Sequence, residues 1–210
     1  MSGPTIIAVL GAESTGKSQL AVALGESLAG AGLDVAVVPE QLRLFCAARG
    51  RTPRADEQRA LADAQSGQIR LAAESHAIVI ADTTALMTAV YSDLIFDDQG
   101  LYAESLSQHR ASRLTLVTGL DLPWVADGIQ RDGPQAQHAV DARLRRVLQE
   151  QRLPFSVVYG AGDTRTQAAL AVVWRCLQPP EPLPDQPRWR WVCRHCGDGA
   201  CEAASHRMAR

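Results

Sequence analysis

The chain has 210 residues, 46% of them hydrophobic, with a net charge of -2 and a pI of about 6.2. That is enough for one compact α/β domain and a small appendage. The charge balance gives no footprint for non-specific nucleic-acid binding, and no apolar run approaches the roughly 20 residues needed to cross a bilayer.

Thr5–Leu10 is short and apolar, and glycine follows, so it reads as a strand buried on both faces rather than a signal sequence. Lys17–Ala31 is rich in Ala and Leu and reads as a helix ending near Gly30 and Gly32. Asp34–Pro39 reads as a second strand. Glu40 and Gln41 then open a helical stretch to Arg49, which Arg51–Pro53 breaks. Asp56–Ser75 reads as a long helix, and Ala77–Ala81, Leu114–Thr118 and Phe155–Tyr159 as three further strands. Between them lie helical segments at Ala85–Leu94, Leu101–Arg110, Gln135–Glu150 and Arg165–Cys176.

This alternation predicts an α/β fold, and the glycine loop Gly11–Ser18 between the first strand and the first helix narrows it to the P-loop NTPase kind. Its roughly five-stranded parallel sheet carries helices on both faces and right-handed crossovers. The domain is expected over 1–177. Gln178–Pro187 holds five prolines in ten residues and reads as a linker, and residues 188–210 form a short Cys/His-rich C-terminal tail.

Gly11-Ala12-Glu13-Ser14-Thr15-Gly16-Lys17-Ser18 fits the phosphate-loop pattern without a mismatch. Its glycines let backbone N–H groups close on phosphates, and the helix that follows points its positive end at the same anion. Lys17 reaches the β- and γ-phosphates of ATP, and the Ser18 hydroxyl holds Mg²⁺. The chain has 20 Arg and one Lys, and that lysine is Lys17. Arg's planar fork does not replace a compact ammonium there.

Asp82 follows the third strand and suits the acidic group that organises the metal; it also suits a helix N-cap beside Thr83 and Thr84. Glu40 ends the second strand, on the edge of the sheet where α/β sites form. It reads either as the acceptor of a substrate proton or as a first-turn glutamate complementing a helix dipole. Arg43, one turn on, either holds substrate or pairs with Glu40. Trp124–Pro134 reads as a loop over the phosphates, whose Arg131 could neutralise a transferring phosphoryl group, or else as a solvated turn.

Taken in order, Gly11-x-Glu13-Ser14-x-Gly16-Lys17-Ser18, Glu40-x-x-Arg43, Gln65, Ala81-Asp82-Thr83 and Trp124-Val125-x-Asp127-Gly128 resemble a known family. It is the ribosylnicotinamide kinase domain of the bacterial NAD-salvage regulator, with its stand-alone ATPase relatives. The resemblance covers roughly residues 4–177. It implies phosphorylation of the ribose 5′-hydroxyl of nicotinamide riboside by ATP. It gives Lys17 and Ser18 to ATP and Mg²⁺, within the loop whose Gly11, Glu13, Ser14, Thr15 and Gly16 are expected to bind the nucleotide, and makes Asp82 the metal-organising or base carboxylate. Glu40 and Arg43 fall on the substrate side, and Asp127 and Arg131 in the lid.

The sequence departs from the family pattern at two positions. The second acid of the Asp-Thr-Asp run is Thr84, and the lid arginine stands at Arg131 instead of at Gln130. These departures bear on the acceptor more than on ATP. They motivate an alternative, an ATPase or nucleotide-dependent switch with a partner-binding tail. No adenylyl transfer and no operator binding are expected, since the chain lacks room for those parts.

In the tail, Cys193-x2-Cys196-x4-Cys201-x4-His206 has the spacing of a zinc knuckle with the last two ligand types exchanged, and His195 competes. The alternative is an unstructured tail of reducible thiols. Trp189 and Trp191 either dock on the domain or stack on a protein partner. Cys46 and Cys176 read as buried thiols. The expected setting is cytoplasmic, with a small-molecule nucleoside as substrate and no membrane or nucleic-acid partner.

Overall fold

The computed structural model describes residues 3–125 and 133–178. In chain order the elements are β1 (Thr5–Leu10), α1 (Lys17–Gly30), β2 (Val35–Val38), α2 (Gln41–Arg49), a 3₁₀ turn (Ala55–Glu57) and α3 (Gln58–Ser75). Then come β3 (Ile78–Asp82), α4 (Ala85–Phe96), α5 (Tyr102–His109), β4 (Ser112–Thr118), α6 (Gly133–Glu150), β5 (Ser156–Val158) and α7 (Gly162–Leu177).

The five strands form one sheet in the order β2-β3-β1-β4-β5, and every pair is parallel. β1 is central because it is apolar on both faces. Its Ile7 and Val9 pack with Leu20, Leu24 and Leu28 of α1 and with Val173 of α7. Its Ala8 and Leu10 pack on the other side with Leu86 and Val90 of α4 and Leu144 of α6. Val38, Val79 and Ala81 meet Ile69 of α3. Helices therefore cover both faces, as the alternating pattern predicts.

Some boundaries differ from the sequence reading, each for a local reason. The expected helix over 56–75 is preceded by the 3₁₀ turn, because the Glu57 carboxylate accepts the Arg54 N–H and the Arg51 guanidinium. β3 extends through Asp82, which pairs in register with Val9. Glu40 does not begin the α2 helix. It keeps extended backbone (φ −64°, ψ 116°) at the N-cap and makes no side-chain cap bond. α7 starts at Gly162, so Arg165 lies inside its first turn rather than at its start. Cys46 is buried, whereas Cys176 is only half-buried. Among the described residues no helix is long and apolar enough to cross a membrane.

Candidate nucleotide site

The turn from β1 into α1 is set by backbone conformations that only certain residues reach cheaply. Gly11 has φ 150°, and a Cβ there would stand 2.1 Å from Thr118 Oγ1. Gly16 caps α1 in the left-handed region at φ 77°. Ser14 shares that region at φ 57°. The local strain is held by hydrogen bonds. Thr15 Oγ1 donates to the Ala12 carbonyl at 2.7 Å and meets Thr118 Oγ1 of β4 at 2.7 Å. Ser14 Oγ donates to the Val125 carbonyl at 2.9 Å and accepts the Val125 N–H at 2.8 Å. The loop is thus fastened to β4 and to the segment leaving it.

A cavity of about 450 Å³ opens on this loop, lined by Ser14, Gly16, Lys17, Ser18, Arg43 and Leu122 among others. Lys17 is buried, and its Nζ donates to the Ala12 carbonyl at 2.7 Å. Arg43 reaches the same cavity, with its Nε 3.8 Å from the Glu40 carboxylate. The structure therefore brings Arg43 to the phosphate loop. Glu40 is buried at the start of α2.

Asp82 ends β3 beside Val9 and is buried. Its Oδ1 has no hydrogen-bond partner, and neither does the buried Oγ of Ser18. Buried polar atoms are almost always paired, so two orphans at the sequence-predicted metal ligands mark a place for a further group. A hydroxyl and a carboxylate are hard oxygen donors of the kind Mg²⁺ takes, and Mg²⁺ needs few protein ligands beside water and phosphate oxygens. The donor set fits.

Glu13 plays a different part from the other loop residues. Its carboxylate accepts from Tyr91 Oη at 3.1 Å, and its carbonyl accepts from Gln137 Nε2 at 2.9 Å. It braces the loop against α4 and α6. Thr84, where the resembled family has its second acid, caps α4 by accepting the Leu86 N–H at 3.4 Å. Its hydroxyl also meets His109 Nδ1 at 3.1 Å, and His109 Nε2 meets Thr115 Oγ1 at 3.0 Å. Burial holds the His109 pKa down to about 4, helped by the nearby Arg110 charge. A second, mostly apolar cavity of about 220 Å³ borders Thr84 and His109 but no residue of the phosphate loop.

Two residues that sequence reasoning passed over belong to the site. Arg165 of α7 is buried; its guanidinium donates to the Thr15 carbonyl and, at 2.5 Å, to Asp121 Oδ1. Burial pushes the Asp121 pKa up. The Gly160 N–H, its own N–H and the Arg165 charge outweigh this and hold it below the usual carboxylate value. The glycine pair Gly160 and Gly162, both with positive φ, was the signal of a tight turn delivering Arg165. Asp127 and Arg131 of the expected lid, and Cys193, Cys196, Cys201 and His206 of the expected knuckle, lie outside the described residues.

Comparison with known proteins agrees with this architecture. A structure of NadR protein in complex with NR matches with a TM-score of 0.70 at 22% identity, over 86% of this chain and 54% of that chain. NadR protein in complex with NAD and AMP-PNP gives 0.67 at 22% identity, over 86% and 52%. A deoxyadenosine kinase from M. mycoides, with products dcmp and dcdp bound, gives 0.51 at 19% identity, over 81% and 98%. The chain spans about half the length of the NadR chains. No curated protein matches it in sequence. The fold is P-loop kinase-like, a five-stranded parallel sheet with helices on both faces. Residues 6–165 match the family model described as an AAA domain, and the chain belongs to that family.

Proposed function

We propose that this protein binds ATP with Mg²⁺ and transfers the γ-phosphoryl group to a hydroxyl of a small nucleoside, with the ribose 5′-hydroxyl of nicotinamide riboside as the leading acceptor. The observation that carries the proposal is the pair of orphaned buried oxygens, Ser18 Oγ and Asp82 Oδ1, beside the Gly11–Ser18 loop. The likeness in fold to NadR and deoxyadenosine kinase supports the acceptor class.

In this reading Ser18 and Asp82 hold Mg²⁺, which neutralises phosphate charge when bound. Lys17 leaves the Ala12 carbonyl for the β- and γ-phosphate oxygens, and Gly16 and the start of α1 offer backbone N–H groups to the same anion. The acceptor oxygen attacks the γ-phosphorus, the bond to the β,γ-bridging oxygen breaks, and ADP leaves. The acceptor proton passes to Glu40, while Arg43 orients the acceptor. Asp127 and Arg131 are assigned to the phosphoryl-transfer side by the resemblance in sequence alone. Catalysis is mainly positioning and charge neutralisation. The reaction belongs in the cytoplasm, where ATP is abundant.

Purified protein incubated with ATP, Mg²⁺ and nicotinamide riboside is expected to form the mononucleotide. Product no greater than that of a Lys17→Ala control would remove the acceptor assignment.

One observation favours a second reading. Thr84 is committed to capping α4 and to His109, so the second acid of the resembled family has no counterpart there. The chain is then an ATPase or nucleotide-dependent switch, with residues 188–210 as a zinc-holding, partner-binding tail beyond a 178–187 linker. Slow ATP hydrolysis without acceptor, altered by deleting residues 188–210, would support it. Near-stoichiometric zinc in the intact chain is expected on the knuckle reading, and its absence removes that reading.

A further inference from the structure

Arg165 sits where a charged side chain is costly. It is 3% exposed, and its Nε is buried without a partner. Taking a guanidinium out of water carries a penalty of several kcal/mol unless its hydrogen bonds offset it. Both of its outer nitrogens are spent close to the phosphate loop, one on the Thr15 carbonyl and one on Asp121. Its Nη1 also lies 3.4 Å from where a Cβ on Gly16 would stand. Asp121 is held in turn by the Gly160 N–H, donated to its Oδ2 at 2.5 Å.

Arg165 does not line the cavity that opens on Gly16, Lys17 and Ser18. It therefore holds the loop through its backbone without lining the cavity itself. The geometry of the peptide unit gives that support a direction. In a trans peptide the carbonyl and the following N–H point opposite ways, and no cis bond occurs among the described residues. A Thr15 carbonyl drawn toward Arg165 turns the Gly16 N–H away from Arg165.

We propose that Arg165 is a positioning residue: it holds the Thr15 carbonyl so that the Gly16 N–H is aimed at the bound phosphates, and Asp121 locks Arg165 in that pose. This rests on the nucleotide reading above. The role is geometric rather than electrostatic, because Asp121 offsets the guanidinium charge. It needs the two-pronged fork of arginine, which a lysine cannot reproduce on two partners at once.

The test measures Mg-ATP affinity of the full chain by calorimetry, alongside thermal unfolding. Arg165→Met and Arg165→Lys should each weaken binding by about tenfold, the scale of one lost charge-assisted hydrogen bond. Asp121→Asn should weaken it less, and the double variant Asp121→Asn/Arg165→Met no more than Arg165→Met alone. In turnover assays KM for ATP should rise while KM for the acceptor holds, a split that mere loss of folded protein does not produce. An Arg165→Lys variant that binds like the unaltered chain would overturn the geometric role, as would an unchanged Arg165→Met. If Arg165→Met does not fold, Asp121→Asn decides, and an unchanged affinity there overturns the proposal. Failure of the unaltered chain to bind ATP removes the nucleotide reading itself, and this inference with it.

Discussion

Gln65 of α3 donates from Nε2 to the carbonyl of Thr83 at 3.3 Å, while its Oε1 accepts the backbone N–H of Gln41 at 2.8 Å. One buried side chain thus ties the end of β3, which carries Asp82, to the start of α2, which carries Glu40. Thr83 needs such a tie, because its φ of 66° is costly for a β-branched residue. The two carboxylates of the proposed site are spaced by this link.

Replacing Gln65 tests it. Gln65→Leu leaves a buried carbonyl and a buried N–H without partners. It should destabilise the fold by about 2 kcal/mol, read as a lower urea midpoint. Gln65→Glu keeps the acceptor for Gln41 but sets a buried carboxylate against the Thr83 carbonyl, so its midpoint at pH 7 should fall at least as far as that of Gln65→Leu.

Gly11→Ala should abolish nucleotide binding. The added methyl would stand 2.1 Å from Thr118 Oγ1, on a backbone at φ 150° that side chains avoid. Adding Thr118→Ala removes the clashing oxygen but not the backbone strain. Fluorescent-nucleotide titration should therefore recover only part of the affinity.

Asp82→Asn should raise the Mg²⁺ concentration needed for half-maximal turnover by about tenfold or more, because a neutral amide is a poorer hard donor. The measurement is a Mg²⁺ titration at saturating ATP. An unchanged requirement would take Asp82 out of the metal role and leave its orphaned oxygen to another partner.

Stability should fall in mild acid through His109. Its folded pKa is about 4, below the ordinary value of 6.5, because burial disfavours the charged ring. Between those values the unfolded chain binds more protons than the folded one. Stability attributable to this group is then full above pH 6.5 and declines as pH drops toward 4. The loss approaches about 3 kcal/mol at the acid end. Urea midpoints taken from pH 7 to 4.5 should show this slope, and His109→Gln should flatten it while lowering the plateau.

The strand framework was legible because each strand is a short apolar run and each crossover a helix-length stretch. Buried parallel strands leave that trace in any sequence. The phosphate loop was legible because its motif, Gly11 to Ser18, is written within eight consecutive positions, although the contacts that hold it are distant. Asp82 could be placed from its position at a strand end. Arg165 could not, since its partners Thr15 and Asp121 lie 150 and 44 positions away and no periodicity marks them. It was also one arginine among 20. Thr84 and His109 were opaque for the same reason: a hydrogen bond between a helix cap and a ring 25 positions later leaves no pattern. Glu40 stands one residue outside the helix that its composition suggests, because acidic composition does not separate an N-cap from a first turn.

The link from Arg165 to Thr15 also sets an order of events in folding. β1 pairs only with β3 and β4, so its apolar residues find no strand partner until residues 78–82 and 112–118 have been made. Arg165 follows later still, 150 positions after the carbonyl it holds. Contacts so distant along the chain form slowly, and an unpaired apolar strand attracts other chains meanwhile. The phosphate loop is therefore synthesised well before the residue that braces it. A nascent chain stalled before α7 would carry the motif without the brace that Arg165 provides.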